Sequence, residues 1–213
     1  MQIRWLVAVG AVLAGGILWA QGPRGGMGGG SWMKFQDKLN PVQDYSVTMV
    51  MDMGQQVVTT KTYKLGKKMR TEMNQQGFQA ISIVDPEAEN GKGAAFTLMP
   101  MMKTYMKIPF PADMAAKADD DKVDIKVDEL GKEDVDGVSC AKRRATITLS
   151  DGKSQVITFW TSPKAKDMPV KVEMTEPVKA TIRYKDYDFT KPSADLFTLP
   201  ADYKPMDMGG MMR

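Results

Sequence analysis

From Val42 onward the chain changes sides at every residue. Tyr45, Val47, Met49, Met51 and Met53 alternate with Ser46, Thr48, Val50 and Asp52. Successive side chains of a strand point to opposite faces, so a period of two marks a half-buried strand. The same rhythm returns over 57–65, which is rich in Val and Thr, and over 68–74, 78–84, 94–99 and 103–108. It resumes over 123–127, 145–149, 154–161, 170–175 and 178–185. Turn signals separate the segments: Gly54-Gln55, Gly66-Lys67, Gln76-Gly77, Asp85-Pro86, Pro100-Met101, Asp136-Gly137 and Asp151-Gly152. Asp-Gly favours the tight type I′ turn of a hairpin. The early strands leave no room for crossover helices, so they form an antiparallel meander. About ten such strands specify a mainly β (α+β) fold, one large antiparallel sheet with a single apolar face. An open sheet of that width curls into a half-barrel. Its concave face needs a cover, or it exposes a large apolar patch. Short helices near 32–39, 112–118 and 194–197 are the candidates for that cover. A curled sheet closed by small helices is a container for an apolar ligand; a filled β-sandwich fits the same alternation.

The flanks read differently. Residues 1–20 carry one charge, Arg4, ahead of an apolar run from Trp5 to Ala20. That is the layout of a secretory signal peptide cut before Gln21. A permanent anchor is the rival reading, but the run is short for a membrane span and contains Gly10, Gly15 and Gly16. Residues 21–30 form a Gly-rich leader, 31–205 the β half-barrel domain and 206–213 a Met/Gly-rich tail. The leader has no Lys-Ser/Thr after its glycines, so it is not a phosphate loop. Ser31 can cap a short helix that Asn40-Pro41 ends. The resulting expectation is a periplasmic or secreted protein.

Composition narrows the function. There is no histidine and one cysteine, Cys140. Ser–His and Cys–His nucleophile pairs, His-ligated zinc and an internal disulfide framework are thereby excluded. The net charge of +3 and the absence of a basic run give no case for nucleic acid. Asp119-Asp120-Asp121 with Asp124, and Asp134 with Asp136-Gly137, do not continue as calcium loops; the position that would close the loop after Asp134 is Ala145. The chain is therefore expected to be no enzyme and to use neither a metal nor another cofactor.

Methionine is abundant, 19 of 213 residues. Clusters at 99–106 and 206–212 suggest Cu(I), which thioethers suit, but such a site lacks His and Cys support. In the strands the methionines fall on the apolar phase. Met49, Met51, Met53, Met69, Met73, Val172, Met174, Ile182 and Tyr184 should share the concave side, joined by Phe159 or Trp160. Methionine is flexible and polarizable, and it lines sites that repack around varied ligands. Thr48 and Lys171 fall on the solvent phase. Cys140 reads as a small buried hydrophobe.

Several segments carry a family resemblance. They are Tyr45 to Met51, the 64–73 hairpin, Asp85-Pro86, Met99-Pro100 and residues 103–106. Later come Val135-Asp136-Gly137 with Cys140, Phe159-Trp160-Thr161 before Met168-Pro169-Val170-Lys171, residues 199–203 and residues 206–208. With these the chain resembles the periplasmic LolA/LolB-like superfamily of lipoprotein carriers, and more narrowly a secreted family called domain of unknown function 4412. The resemblance implies a half-barrel with an apolar concave face under helical lids. It further implies as partner a hydrophobic small molecule or the acyl chain of a lipid or lipoprotein. Transient contact with a membrane or another envelope protein is a further implied partner, and an interaction module of the same fold without a ligand is the alternative.

The exported protein is expected to begin at Gln21. Intact-mass measurement checks this: a membrane-bound species that retains Met1 would show an anchor instead.

Overall fold

The structure, a computed structural model, describes residues 40–75, 77–91, 93–109, 124–148, 154–175 and 179–206. The export segment, the leader, the helices expected near 32–39 and 112–118, the Asp151-Gly152 turn and the tail from 207 lie outside them. The strands are β1 (Tyr45–Asp52), β2 (Val57–Leu65), β3 (Lys68–Gln75), β4 (Phe78–Asp85), β5 (Ala94–Met99) and β6 (Thr104–Pro109). The second run comprises β7 (Asp124–Val135), β8 (Val138–Thr148), β9 (Ser154–Ser162), β10 (Met168–Met174) and β11 (Ala180–Asp188). A two-residue β12 (Lys204–Pro205) follows. One short helix, α1 (Ala88–Gly91), and 3₁₀ turns at Pro100–Met102, Pro163–Ala165 and Ala194–Phe197 complete the described residues.

All twelve strands belong to one sheet, ordered β12-β6-β5-β4-β3-β2-β1-β11-β10-β9-β8-β7. Every pairing is antiparallel except β12 with β6. The sheet is curled and does not close into a barrel. Its turns follow the sequence signals. Asp136 (φ 49°) and Gly137 (φ 77°) both sit in the left-handed region, as a type I′ hairpin between β7 and β8 requires. Gly66 (φ 55°) turns β2 into β3, and its amide donates to Asp44 Oδ1 at 2.9 Å, pinning the turn to the entry of β1.

Residues directly opposite one another share a face. Across the middle of the sheet Phe159 opposes Val172, Val172 opposes Ile182 and Ile182 opposes Met51. This inner face holds the main core: Ala145, Ile147, Ile157, Phe159, Val172, Met174, Ala180 and Ile182. Full burial of a Val, Ile, Phe or Met side chain contributes about 1.5–3 kcal/mol each. On the opposite, outer face, β8 to β10 present Arg144, Thr146, Thr158 and Glu173, which are exposed or half-buried. There the β7–β8 tip folds over Trp160, and Val135, Cys140 and Trp160 make a small cluster.

The structure departs from the sequence reading in definable places. β7 runs on to Val135, well past the expected end at 127. It is an edge strand whose second half, Glu129 to Asp134, is largely charged and exposed, so alternation vanishes where there is no buried face to impose it. β10 starts at Met168, and its pairing with β9 shifts register between Pro169 and Lys171. The turn at 194–197 forms, but it lies on the outer side of β3 and β4, where Arg70 Nη1 donates to Leu196 O at 2.8 Å. Lys171 is on the outer face, as its phase requires, yet only 15% of its side chain is exposed. Its ammonium lies 4.3 Å from the Trp160 ring centroid and 2.6 Å from Glu173 Oε1.

Two outcomes follow from this packing. Ile157→Ala, at a fully buried position, should cost about 2–5 kcal/mol in urea unfolding, while Val156→Ala on the outer face should stay within about 0.5 kcal/mol. Equal losses would mean that the core is on the wrong face. Cys140 Sγ donates to Val138 O at 3.2 Å, and burial pushes its thiol pKa up. Because the thiolate is the nucleophile, iodoacetamide at pH 8 should leave it unmodified in native protein and label it after denaturation. Native labelling at the denatured rate would refute that packing.

Candidate functional site

Strand register decides which expected residues meet. Met49 opposes Tyr184 and Met51 opposes Ile182, which joins β1 to β11. Met49 also opposes Thr60, and Thr60 opposes Met73. Tyr45 opposes Lys64, and Lys64 opposes Met69. Met174 opposes Ile157 beside the Phe159–Val172 pair. Met53 lies just past the end of β1 and packs on the same core. Met49, Met51, Met53, Met69, Met73, Phe159, Val172, Met174, Ile182 and Tyr184 are therefore on the inner side of the sheet.

Trp160 is not with them. It follows Phe159 in the strand, and a shift of one residue reverses the face. It is buried on the outer side, with Lys142 Nζ at 5.2 Å and Lys171 Nζ at 4.3 Å from its ring centroid. A lysine over an indole face is held by the ring quadrupole. Trp160 thus anchors the β7–β8 tip and is no part of the inner lining.

Burial divides the inner residues again. Phe159 (1% exposed), Val172 (1%), Met174 (8%) and Ile182 (0%) are closed core. Met49, Met51, Met53, Met69, Met73 and Tyr184 are only half-buried. The accessible part of the inner side is thus a methionine-lined surface on β1 to β3, set against a filled half on β8 to β11. Along the phase of these methionines β2 to β5 also carry Thr60, Thr62, Thr71, Ser82 and Thr97, which apolar alternation does not single out. Thr62 Oγ1 donates to Met49 Sδ at 3.4 Å. The signal was the phase of Val58 continuing through Thr60 and Thr62, legible only once strand register is known.

One end of the methionine surface is aromatic. Tyr45 and Tyr187 lie 6.0 Å apart by ring centroid, Tyr184 and Tyr187 6.5 Å, and Tyr187 and Phe189 5.5 Å. Tyr187 Oη donates to Pro169 O at 2.7 Å, which ties the group to β10. Burial pushes the Tyr184 and Tyr187 phenols well above their ordinary range, so they stay uncharged at neutral pH and into alkaline solution. At the far side Arg143 opposes Phe159, and its guanidinium donates to Glu129 Oε1 at 2.6 Å and to Thr161 Oγ1 at 3.0 Å. That neutralised arginine marks where the apolar face ends.

A groove of about 350 Å³ lies across β1 to β4, lined by Thr48, Lys61, Glu72, Asn74, Gln79 and Ile81, and reached from the methionine side by Thr60, Met73 and Ala80. These side chains belong mainly to the outer phase, and the polar groups among them suit no acyl chain. Met99 is buried, whereas Met101 and Met102 are exposed. Asp136 is taken up by Arg183 at 2.8 Å. Among the described residues there is no group of three or more His, Cys, Asp or Glu able to hold a metal ion, and no helix long and apolar enough to cross a membrane.

No curated protein matches the chain. Its fold is similar to that of an uncharacterised conserved protein from Thermus thermophilus, with a TM-score of 0.53 and 14% identity over 83% of this chain and 98% of that one. The lipoprotein LppX from Mycobacterium tuberculosis aligns with a TM-score of 0.41 and 10% identity, over 74% of this chain and 92% of that one. A LolA superfamily protein from Nitrosomonas europaea aligns with a TM-score of 0.37 and 10% identity, over 79% and 96%. The family model described as domain of unknown function (DUF4412) matches residues 46–176, from the start of β1 past the end of β10, and the chain belongs to that family.

Proposed function

We propose that the protein is a non-enzymatic binding protein of the cell envelope, acting outside the cytoplasm, that holds an acyl chain or similar apolar ligand against the inner side of β1 to β3. The observation that carries this reading is the division of the inner face. Met49, Met51, Met53, Met69 and Met73 share one phase with a filled core and yet keep part of their surface accessible. An acyl chain laid on such a surface gains about 0.8 kcal/mol for each buried CH₂. Unbranched thioether side chains can reshape around chains of different length without backbone movement. The phenols of the neighbouring aromatic wall stay neutral, so they add no charge for the ligand to desolvate.

Binding of a fluorescent fatty-acid probe tests the reading, with folding followed by circular dichroism. Met51→Glu puts a carboxylate against the chain and should weaken the probe at least about tenfold. Val156→Glu, on the solvated outer face, should leave affinity within about twofold. Equal affinities in the two folded variants, or no binding by the wild type, would sink the proposal. The second result would favour an interaction module that works without a ligand.

A further inference from the structure

The inner side of β2 to β5 carries a transverse row of hydroxyls. Thr62 opposes Thr71, Thr71 opposes Ser82, and Ser82 opposes Thr97. At the strand spacing of a sheet, four positions in a row span about 14 Å. The row ends on apolar side chains, Val47 before Thr62 and Met106 after Thr97. Methionines flank it on both sides. One neighbouring row runs Met49, Thr60, Met73, Ala80, and the other runs Lys64, Met69, Val84, Ala95. Each lies two residues along the strands, about 7 Å away. Thr71 and Ser82, at the centre, are half-buried and reachable.

Hydroxyls are a poor filler for a dry apolar surface, because each brings a donor and two acceptor sites that need partners. Thr62 shows the strain on that supply. It is 5% exposed, and its hydroxyl meets a thioether sulfur at 3.4 Å and the Thr71 hydroxyl at 3.5 Å. Sulfur is a weak acceptor, and 3.5 Å is long for a bond between hydroxyls. Among the described inner-phase positions of β1 to β5, Lys64 is the only charged side chain, and it stands next to the end of β2.

We propose that this row is a subsite for the uncharged polar group of the ligand. The acyl chain lies on the methionines, and its ester carbonyl and glycerol hydroxyls bond to Thr71 and Ser82. The preferred class is then a neutral ester-linked lipid of the glyceride type. The assignment rests on the inner-face reading of the preceding subsection. A hydroxyl both donates and accepts, so the row matches an ester carbonyl and an alcohol together; a bare hydrocarbon satisfies neither.

The test is displacement of the fluorescent fatty-acid probe by 1-monododecanoylglycerol and by dodecane, which share a chain and differ in the head. The wild type should prefer the glyceride. The isosteric pair Thr71→Val with Ser82→Ala should weaken the glyceride at least about tenfold and leave dodecane unchanged or tighter. Thr158→Val, on the outer face, should change neither. Thr71→Val alone serves if the double variant misfolds, with a smaller loss in the same direction. If the wild type binds probe and glyceride but the variants weaken both competitors equally, or neither, the hydroxyl subsite is wrong and the apolar site stands. If the wild type binds no apolar probe, the site itself is wrong and the subsite falls with it.

Discussion

The pairing of β1 with β11 is the contact on which the molecule depends. β1 to β6 and β7 to β11 are each built by strands that follow one another in the chain, and either run could form as a separate meander. β1 and β11 join them, with Met49 opposite Tyr184 and Met51 opposite Ile182. That pairing spans more than a hundred residues, so its closure entropy is met late and only by what it buries. It buries Ile182 with Val172 and Phe159 and packs Met51 against them. Without it the methionine surface and the aliphatic core would be faces of two unrelated sheets.

Much of this was written in local sequence. Most strand positions and the common face of Met49, Met51, Met69, Met73, Val172 and Ile182 follow from alternation, and the Asp136-Gly137 hairpin from its Asp-Gly signal. Alternation reports phase, not depth. Met51 and Val172 have the same phase, yet one stays half-buried and the other is closed, because burial depends on what lies across several strands. Phe159 and Trp160 could not be separated by sequence because both are large and apolar. The outer cluster of Val135, Cys140 and Trp160 removes the usual rule that one face of a sheet is polar. The hydroxyl row was illegible for the opposite reason. Thr62, Thr71, Ser82 and Thr97 are unremarkable strand residues singly, and only register places them in line.

Charge plays a directing part more than a stabilising one. The ion pairs are mostly exposed: Arg183 with Asp136 is 40% and 61% exposed by side chain, and Arg143 with Glu129 is 31% and 66%. Exposed pairs contribute about 0–1 kcal/mol. Their value is in position. Arg183 fastens the β7–β8 tip over Trp160, and the charged second half of β7 guards the open edge of the sheet against pairing with another chain. The inner face between these guards is left nearly free of charge.

The two halves of that face use different chemistry for different ends. Ile147, Ile157, Val172 and Ile182, on the closed side, are β-branched, with few rotamers to lose and a fixed shape to pack. Methionine, on the open side, has three rotatable bonds and specifies shape poorly. A uniform methionine face would leave the long-range closure of β1 on β11 underspecified. A uniform β-branched face would fill its own volume and leave no adaptable surface. Placing stiff residues on β8 to β11 and soft ones on β1 to β3 lets the same two-residue period supply a core that holds its register and a surface that keeps an adaptable shape.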